Sequence, residues 1–280
     1  MSLRDLLVLV DRSPASAVRL EWALALAARF SSRVTALYLV AEPYVPAMIG
    51  VHIPVDLLQM QLAEAEREAD AVLAAVRASA QRHGLAVATD RITAPLGRLP
   101  TAMAQAARAA DLCVVGQPTP EDQDLDSLAI AEAAFIATGR PALVVPYAGS
   151  PATPLRRVLV AWNGSREAAR AVHDALPFVV GGVRTTLLVV DPQGLGAVEP
   201  DAPGAEIAAH LARHGVTVEV KAIQSGGLPI GDAILSHAAD EGADLLVMGG
   251  YGHSRLRETV LGGATRQILA QMTLPVLLSH

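Results

Sequence analysis

The sequence predicts an α/β protein built twice over, each copy a parallel sheet covered on both faces by helices. Three observations carry this. Short apolar runs alternate with longer segments of helical period along the whole chain. The runs are continuously apolar instead of alternating, as expected of strands buried on both faces. Blocks of sequence also recur in the same order. Leu6–Ser13 (LLVLVDRS) parallels Val158–Ser165 (VLVAWNGS), 152 positions on, and Arg82-His83-Gly84 returns as Arg213-His214-Gly215 after 131. Ala110–Gly116 (ADLCVVG) matches Ala243–Gly249 (ADLLVMG) after 133, and Arg140–Pro146 resembles Leu274–His280 after 134. A kept order with drifting offsets marks a duplicated domain whose first copy carries roughly 20 extra residues in its front half.

In the first copy, Leu6–Val10 reads as a strand, Ala15–Phe30 as a helix and Val34–Val40 as a strand. A long helix follows over Val55–His83, then a weaker strand Leu85–Arg91. The copy closes with helix Leu99–Ala109, strand Leu112–Val115, helix Leu128–Thr138 and strand Ala142–Val145. The second copy repeats the order. It runs Val158–Ala161, Arg166–Val179, Thr185–Val190, Gly204–His214, Val216–Ala222, Ile230–Glu241, Leu245–Met248, Ala264–Met272 and Val276–Leu278. Crossovers between parallel strands are expected to be right-handed. Tyr147–Arg156, rich in Pro, Ser and Gly, is the natural linker, so the domains are expected over 1–148 and 155–280.

Composition narrows the function classes. The 280 residues are 52% hydrophobic and 18% charged, which supports large cores and excludes a disordered chain. A formal net charge of −6 argues against a general nucleic-acid binder. The single cysteine, Cys113, lies in a strand-like run and reads as a buried structural thiol. The apolar run before Asp11 is too short for a signal-peptide core, and no segment reaches the length of a membrane span. The expected location is the cytoplasm.

The most informative stretch is Ala243–Thr265, ADLLVMGGYGHSRLRETVLGGAT. A buried strand stops at Gly249-Gly250. Gly252 and the basic residues His253, Arg255 and Arg257 follow, and Gly262-Gly263 open an apolar-periodic helix. Glycines let a backbone turn sharply and approach a ligand, and a helix N-terminus favours an anion. The spacing Gly249, two residues, Gly252, nine residues, Gly262 resembles the nucleotide-binding signature of the universal stress protein family. That family usually places Ser or Thr after the last glycine. Here Gly263 stands there, with Thr265 two residues on.

The resemblance covers both copies and implies a tandem member. The implied fold is two doubly wound domains, each a mostly parallel five-stranded sheet with helices on both faces, of the adenine nucleotide alpha hydrolase-like type. Members commonly pair through their last strands, so an internal pseudo-dimer is implied, and further homodimerisation with it. Ligands of such sheets sit beyond the strand ends where strand order reverses. The implied second-copy site therefore takes in Ala161, Trp162, Asn163, Val189, Met248, Gly249, Gly252, Gly262, Gly263, Ala264 and Thr265. Val189 matches the position that faces adenine. The glycines and Ala264 would offer N–H groups to phosphates, with Arg255 or Arg257 as charge partners. Asn163 replaces the family's usual Asp, and an amide can bond ribose or phosphate but brings no charge to hold Mg²⁺.

Plainer readings stand beside these. Asn163-Gly164-Ser165 reads equally as a helix cap, Gly249-Gly250 as a turn, and Trp162 as packing. In the first copy Asp11 is kept, but both later glycines are lost, and Glu121, Asp122, Asp124 and Asp126 stand where phosphates would lie. That copy is expected not to bind ATP. Its apolar insertion Glu42–Pro54 reads as a lid or a partner surface. His210 and His214 lack the glutamate of a zinc-protease helix and read as a solvated face. No P-loop, no G-x-S-x-G elbow and no carboxylate pair for acid–base work occurs. The sequence thus points to a stress-response module binding ATP, AMP or ADP in its second domain, with weak ATP hydrolysis at most. The alternative is a ligand-free interaction protein of the same fold. Either version is expected to serve an unidentified protein partner.

Overall fold

The computed structural model describes residues 3–43, 54–119, 126–148, 154–192, 203–251 and 263–280. The first half runs β1 (Asp5–Val10), α1 (Pro14–Phe30), β2 (Arg33–Ala41), α2 (Val55–Arg82), β3 (Val87–Ala94), α3 (Leu99–Ala107), β4 (Leu112–Gly116), α4 (Ser127–Ile136) and β5 (Ala142–Val145). The second runs β6 (Arg157–Ala161), α5 (Arg166–Val179), β7 (Arg184–Val190), α6 (Ala205–Arg213), β8 (Thr217–Ile223), α7 (Ile230–Asp240), β9 (Leu245–Gly249), α8 (Gly263–Gln271) and β10 (Val276–Ser279). The strand expected over Leu85–Arg91 starts later, at Val87. Leu85 N–H instead bonds Ala80 O at 3.0 Å, beside a left-handed Gly84, and closes the end of α2.

Among the described residues the strands form one sheet, ordered β3-β2-β1-β4-β5-β10-β9-β6-β7-β8. Every neighbouring pair is parallel except β5 with β10, which run antiparallel with Val276 opposite Val144 and Leu278 opposite Ala142. Each half is therefore doubly wound, and the two are joined as the pseudo-dimer implied by their last strands. The insertion segment 44–53, the acids Glu121, Asp122 and Asp124, and positions 149–153 of the linker lie outside the described residues.

Two apolar layers cover the sheet, and each crosses from one half to the other. One holds α1, α2, α5 and α6, and includes Trp22, Leu24, Leu73, Phe178, Leu187 and Leu211. The other holds α3, α4, α7 and α8, and includes Met103, Phe135, Ile234, Ile268 and Met272. At the seam of the first layer Phe30 meets Phe178 edge-to-face, ring centroids 5.8 Å apart, and Arg29 donates to the Pro177 and Phe178 carbonyls. Cys113 is fully buried in β4, and burial pushes its thiol up to about 12, which leaves it inert as expected. Among the described residues no helix is long and apolar enough to cross a membrane.

Because the layers are continuous, the halves should unfold together. Trp162→Phe leaves Trp22, in the first half, as the one tryptophan. Phe178→Ala, in the second half, is then expected to cost about 3–5 kcal/mol. The urea midpoint read from Trp22 fluorescence should fall together with that read by far-UV circular dichroism. A Trp22 transition that stays in place would show the halves to be uncoupled.

Candidate functional site

The point of strand-order reversal lies between β1 and β4 in the first half and between β6 and β9 in the second. These two equivalent crevices differ in what their own side chains do.

In the first half, Ser13 precedes α1 as its N-cap residue, and Asp11 stands between β1 and that cap. Asp11 Oδ1 accepts from Ser13 N–H at 2.7 Å, and Ser16 Oγ accepts from Asp11 N–H at 3.0 Å. Its other oxygen accepts from Arg19 Nη2, one turn further along α1. Arg19 is only 6% exposed. Its guanidinium lies so close over the end of β4 that a Cβ on Gly116 would meet Nη1 at 2.1 Å. Burial raises the Asp11 carboxyl, but the Arg19 charge and the bonds from Ser13 and Arg19 outweigh it and hold it below the usual range. Tyr38, which faces Val10 across β1 and β2, is half-buried near Asp11, Arg12 and Glu68. The first crevice is thus occupied by an internal ion pair. Of the acidic run expected to keep phosphate out, Glu121, Asp122 and Asp124 lie outside the described residues.

Aligning the N-caps Ser13 and Ser165 places Asn163 at the Asp11 position, Ala168 at Ser16 and Ala171 at Arg19. The short Ala171 thus stands where the first crevice has Arg19. Asn163 is exposed, and its Oδ1 accepts from Ser165 N–H at 3.1 Å. Ser165 Oγ caps α5 by accepting from Ala168 N–H at 3.1 Å. Ala161 and Trp162 are half-buried, and Trp162 packs on the first apolar layer. Val189 is fully buried, and a Cβ on the left-handed Gly204 would sit 3.4 Å from its Cγ2. Met248 is buried at the end of β9.

The glycine pair after β9 has a packing reason on both sides. A Cβ on Gly249 would lie 2.5 Å from Ala168 N in the α5 backbone, and one on Gly250 would lie 2.4 Å from the Phe135 ring. Gly263 opens α8 with none of the described residues within 4 Å of a Cβ, and the first turn of that helix carries no acidic residue. Ala264 is half-buried beside it. Thr265 is buried, and its Oγ1 accepts from Tyr251 N–H at 3.2 Å. Met248, Gly249, Gly263, Ala264 and Thr265 are thus gathered by β9 and the start of α8, with Ala161, Trp162 and Asn163 at the end of the neighbouring β6. Gly252 and Gly262 lie outside the described residues, as do His253, Arg255 and Arg257.

Two features escaped the sequence reading. Glu167 is buried in the first turn of α5 and paired to Arg166. Burial raises its carboxyl, but the Arg166 and backbone hydrogen bonds and the Arg166 charge hold it below the usual range. It is the buried carboxylate nearest Gly249, and it is already committed to a cation. The second is a stack of imidazoles. His173 on α5 lies 5.0 Å from His210, which lies 4.7 Å from His214 on α6. His210 Nε2 is buried with no hydrogen-bond partner among the described residues. The solvated face expected for His210 is corrected to a packed one, because α6 lays it against α5. Among the described residues no group of His, Cys, Asp or Glu is arranged to hold a metal ion.

Doubly wound sheets with a crevice at the switch point form a class of α/β proteins whose ligands sit beyond the strand ends. Within that class, the model of the universal stress protein family matches residues 2–119 and again 154–280, and the chain belongs to that family as a tandem member. A solved universal stress protein from Archaeoglobus fulgidus shares the fold with a TM-score of 0.70 at 18% identity, over 99% of this chain and 96% of that one. A functionally unknown protein from Pseudomonas aeruginosa does so at 0.59 and 15%, over 99% and 92%. Shorter segments match universal stress proteins in sequence. One is from Synechocystis, 46% identical over 46 residues, and one from Methanocaldococcus jannaschii, 37% identical over 62. These segments cover 16% of this chain and of the first relative, and 22% of this chain and 38% of the second.

The ion pair in the first crevice should be necessary to its own residues. Arg19→Met leaves the partly buried Asp11 without its cation and is expected to cost about 1–3 kcal/mol. Adding Asp11→Ala should recover most of that loss in a double-mutant cycle from urea unfolding. Strict additivity would mean the two groups do not interact.

Acid should loosen the α5–α6 contact. Burial, followed by the His214, His173 and Arg213 charges, holds the His210 imidazole below its ordinary value. The unfolded chain therefore binds a proton at about pH 6.5, where the folded chain still does not. Stability from this group is complete above that pH and declines as pH falls below it. The melting temperature should drop between about pH 7.5 and 5.5, and the drop should be smaller in His210→Leu. An identical slope in the variant would rule out His210 as the source.

Proposed function

We propose that the second domain, taken as 155–280, binds an adenine nucleotide in the crevice beyond β6 and β9, and that the first domain, taken as 1–148, does not. The observation that carries this reading is the asymmetry between the crevices. Where the first has the Arg19–Asp11 pair over Gly116, the second has Ala171 and Asn163. The residues present suit an anionic ligand. Gly263 meets none of the described residues within 4 Å of a Cβ, at an α8 terminus whose first turn has no acidic side chain, and a helix N-terminus favours phosphate. The exposed Asn163 amide keeps its NH₂ group for a ribose or phosphate oxygen. The spacing of Gly249, Gly252 and Gly262 supplies the motif through which this chain resembles nucleotide-binding members of its family.

The ligand is ATP, with ADP and AMP as weaker or competing forms, and no Mg²⁺ is required. Asn163 carries no charge and Glu167 is held by Arg166, so among the described residues no carboxylate here is placed for a metal or as a general base. Binding without turnover follows, in a cytoplasmic stress-response module whose nucleotide alters the surface it offers to a protein partner. The second reading, in which both crevices are vestigial, is favoured by Gly263 standing where a hydroxyl residue is usual and by Thr265 Oγ1 being engaged with Tyr251.

Nucleotide titrations separate the readings. ATP is expected to raise the melting temperature of the intact chain, and Gly252→Val and Gly262→Val are each expected to abolish the rise. No rise in the unaltered chain would leave the vestigial reading. A rise that survives both substitutions would put the nucleotide elsewhere. Phosphate release over hours should stay at the no-protein background.

A further inference from the structure

The turn that follows β9 belongs to the second half, yet its contacts belong largely to the first. Tyr251 donates its hydroxyl to Glu132 Oε1 on α4, 119 positions earlier in the chain. Its ring stacks on Phe135 of the same helix, centroids 6.1 Å apart with 12° between planes. Phe135 also fills the space that only a glycine at 250 leaves open. Arg266, in the first turn of α8, stands 3.7 Å from Glu132 Oε1, the same oxygen that accepts from the Tyr251 phenol. Tyr251 N–H is bound to Thr265 Oγ1 in that same turn. Tyr251 holds a left-handed backbone, φ 54°, a conformation unfavourable to a non-glycine residue that persists only where contacts impose it.

We infer that Glu132 of the first half is a positioning residue for the second half's ligand site, holding Tyr251 and Arg266 so that the end of β9 stays in register with the N-terminus of α8. The consequence for nucleotide affinity rests on the function proposed above. The first domain, whose own crevice is closed by Arg19, thereby serves as the platform against which the second domain's anion-facing terminus is set. The reverse contact is of a different kind. Gln117, the first-half counterpart of Gly250, donates to the Ala270 carbonyl near the far end of α8 and accepts from Tyr147 N–H. Both ends of α8 are therefore held by the first half, its N-terminal end through Glu132.

The test uses the full-length chain with Glu132→Ala, Glu132→Gln and Tyr251→Phe. Burial and the Glu132 carboxylate push the Tyr251 phenol up to about 12, so its ionisation, read by ultraviolet absorbance of tyrosinate, reports on the contact without any nucleotide. Glu132→Ala should return one tyrosine toward the ordinary value of about 10. It should also speed amide exchange at Tyr251 and weaken ATP binding about tenfold, with the melting temperature little changed. Glu132→Gln, whose amide oxygen still accepts from the phenol, should restore most of the affinity, while Tyr251→Phe should not. If the unaltered chain binds ATP and Glu132→Ala binds it within about twofold, the positioning role is overturned and the proposed function stands. If the unaltered chain binds no ATP, the proposed function fails. The positioning role then stands or falls on the tyrosinate and exchange shifts, and their absence in Glu132→Ala overturns it.

Discussion

Strands β5 and β10 meet antiparallel at the centre of the sheet, and the arrangement of every other element follows from that contact. The last strand of a doubly wound half is an edge, with a row of unpaired backbone N–H and C=O groups. Pairing the two last strands satisfies both edges at once and relates the halves by an approximate two-fold. It also sets α1 against α5 on one face, through Phe30 and Phe178, and α4 against α8 on the other, through Phe135, Glu132, Tyr251 and Arg266. Neither apolar layer can then be divided into a part for each half.

A duplicated scaffold offers two equivalent crevices, and few side chains are needed to make them different. In the first, Arg19 pairs with Asp11 and lies over Gly116, while an alanine, Ala171, holds the matching place in α5. A buried arginine is tolerated because Asp11 compensates its charge, the Ser13 N–H fixes that carboxylate and Ser16 Oγ holds the Asp11 backbone N–H. The helices of the first half stay packed against those of the second through both apolar layers.

Much of this was legible from residues alone. Continuous apolar runs such as LLVLV and LLVM, alternating with helical segments, located the strands and helices to within a few residues, because secondary structure follows local period. The recurring blocks showed the duplication. Less legible was the reason for individual residues. Gly249 and Gly250 read as a turn made for a ligand, yet each is also demanded by packing, one against the α5 backbone and the other against Phe135. His210 read as solvated because its own helix offers only His214 beside it, and the other imidazole that packs on it, His173, comes from another helix.

Taken by itself, the sequence determined that the chain is a doubled α/β protein, where its elements lie and which stretch carries the glycine motif. These depend on spacing within a few tens of residues, which the chain displays directly. Only the tertiary structure decided that Arg19 closes the first crevice and that Glu132 of one half holds Tyr251 of the other. Arg19 lies over a glycine almost a hundred positions away, and Glu132 meets a tyrosine 119 positions away. Such partners share no local pattern. They become neighbours only when the sheet forms and its central antiparallel pair brings the two halves together.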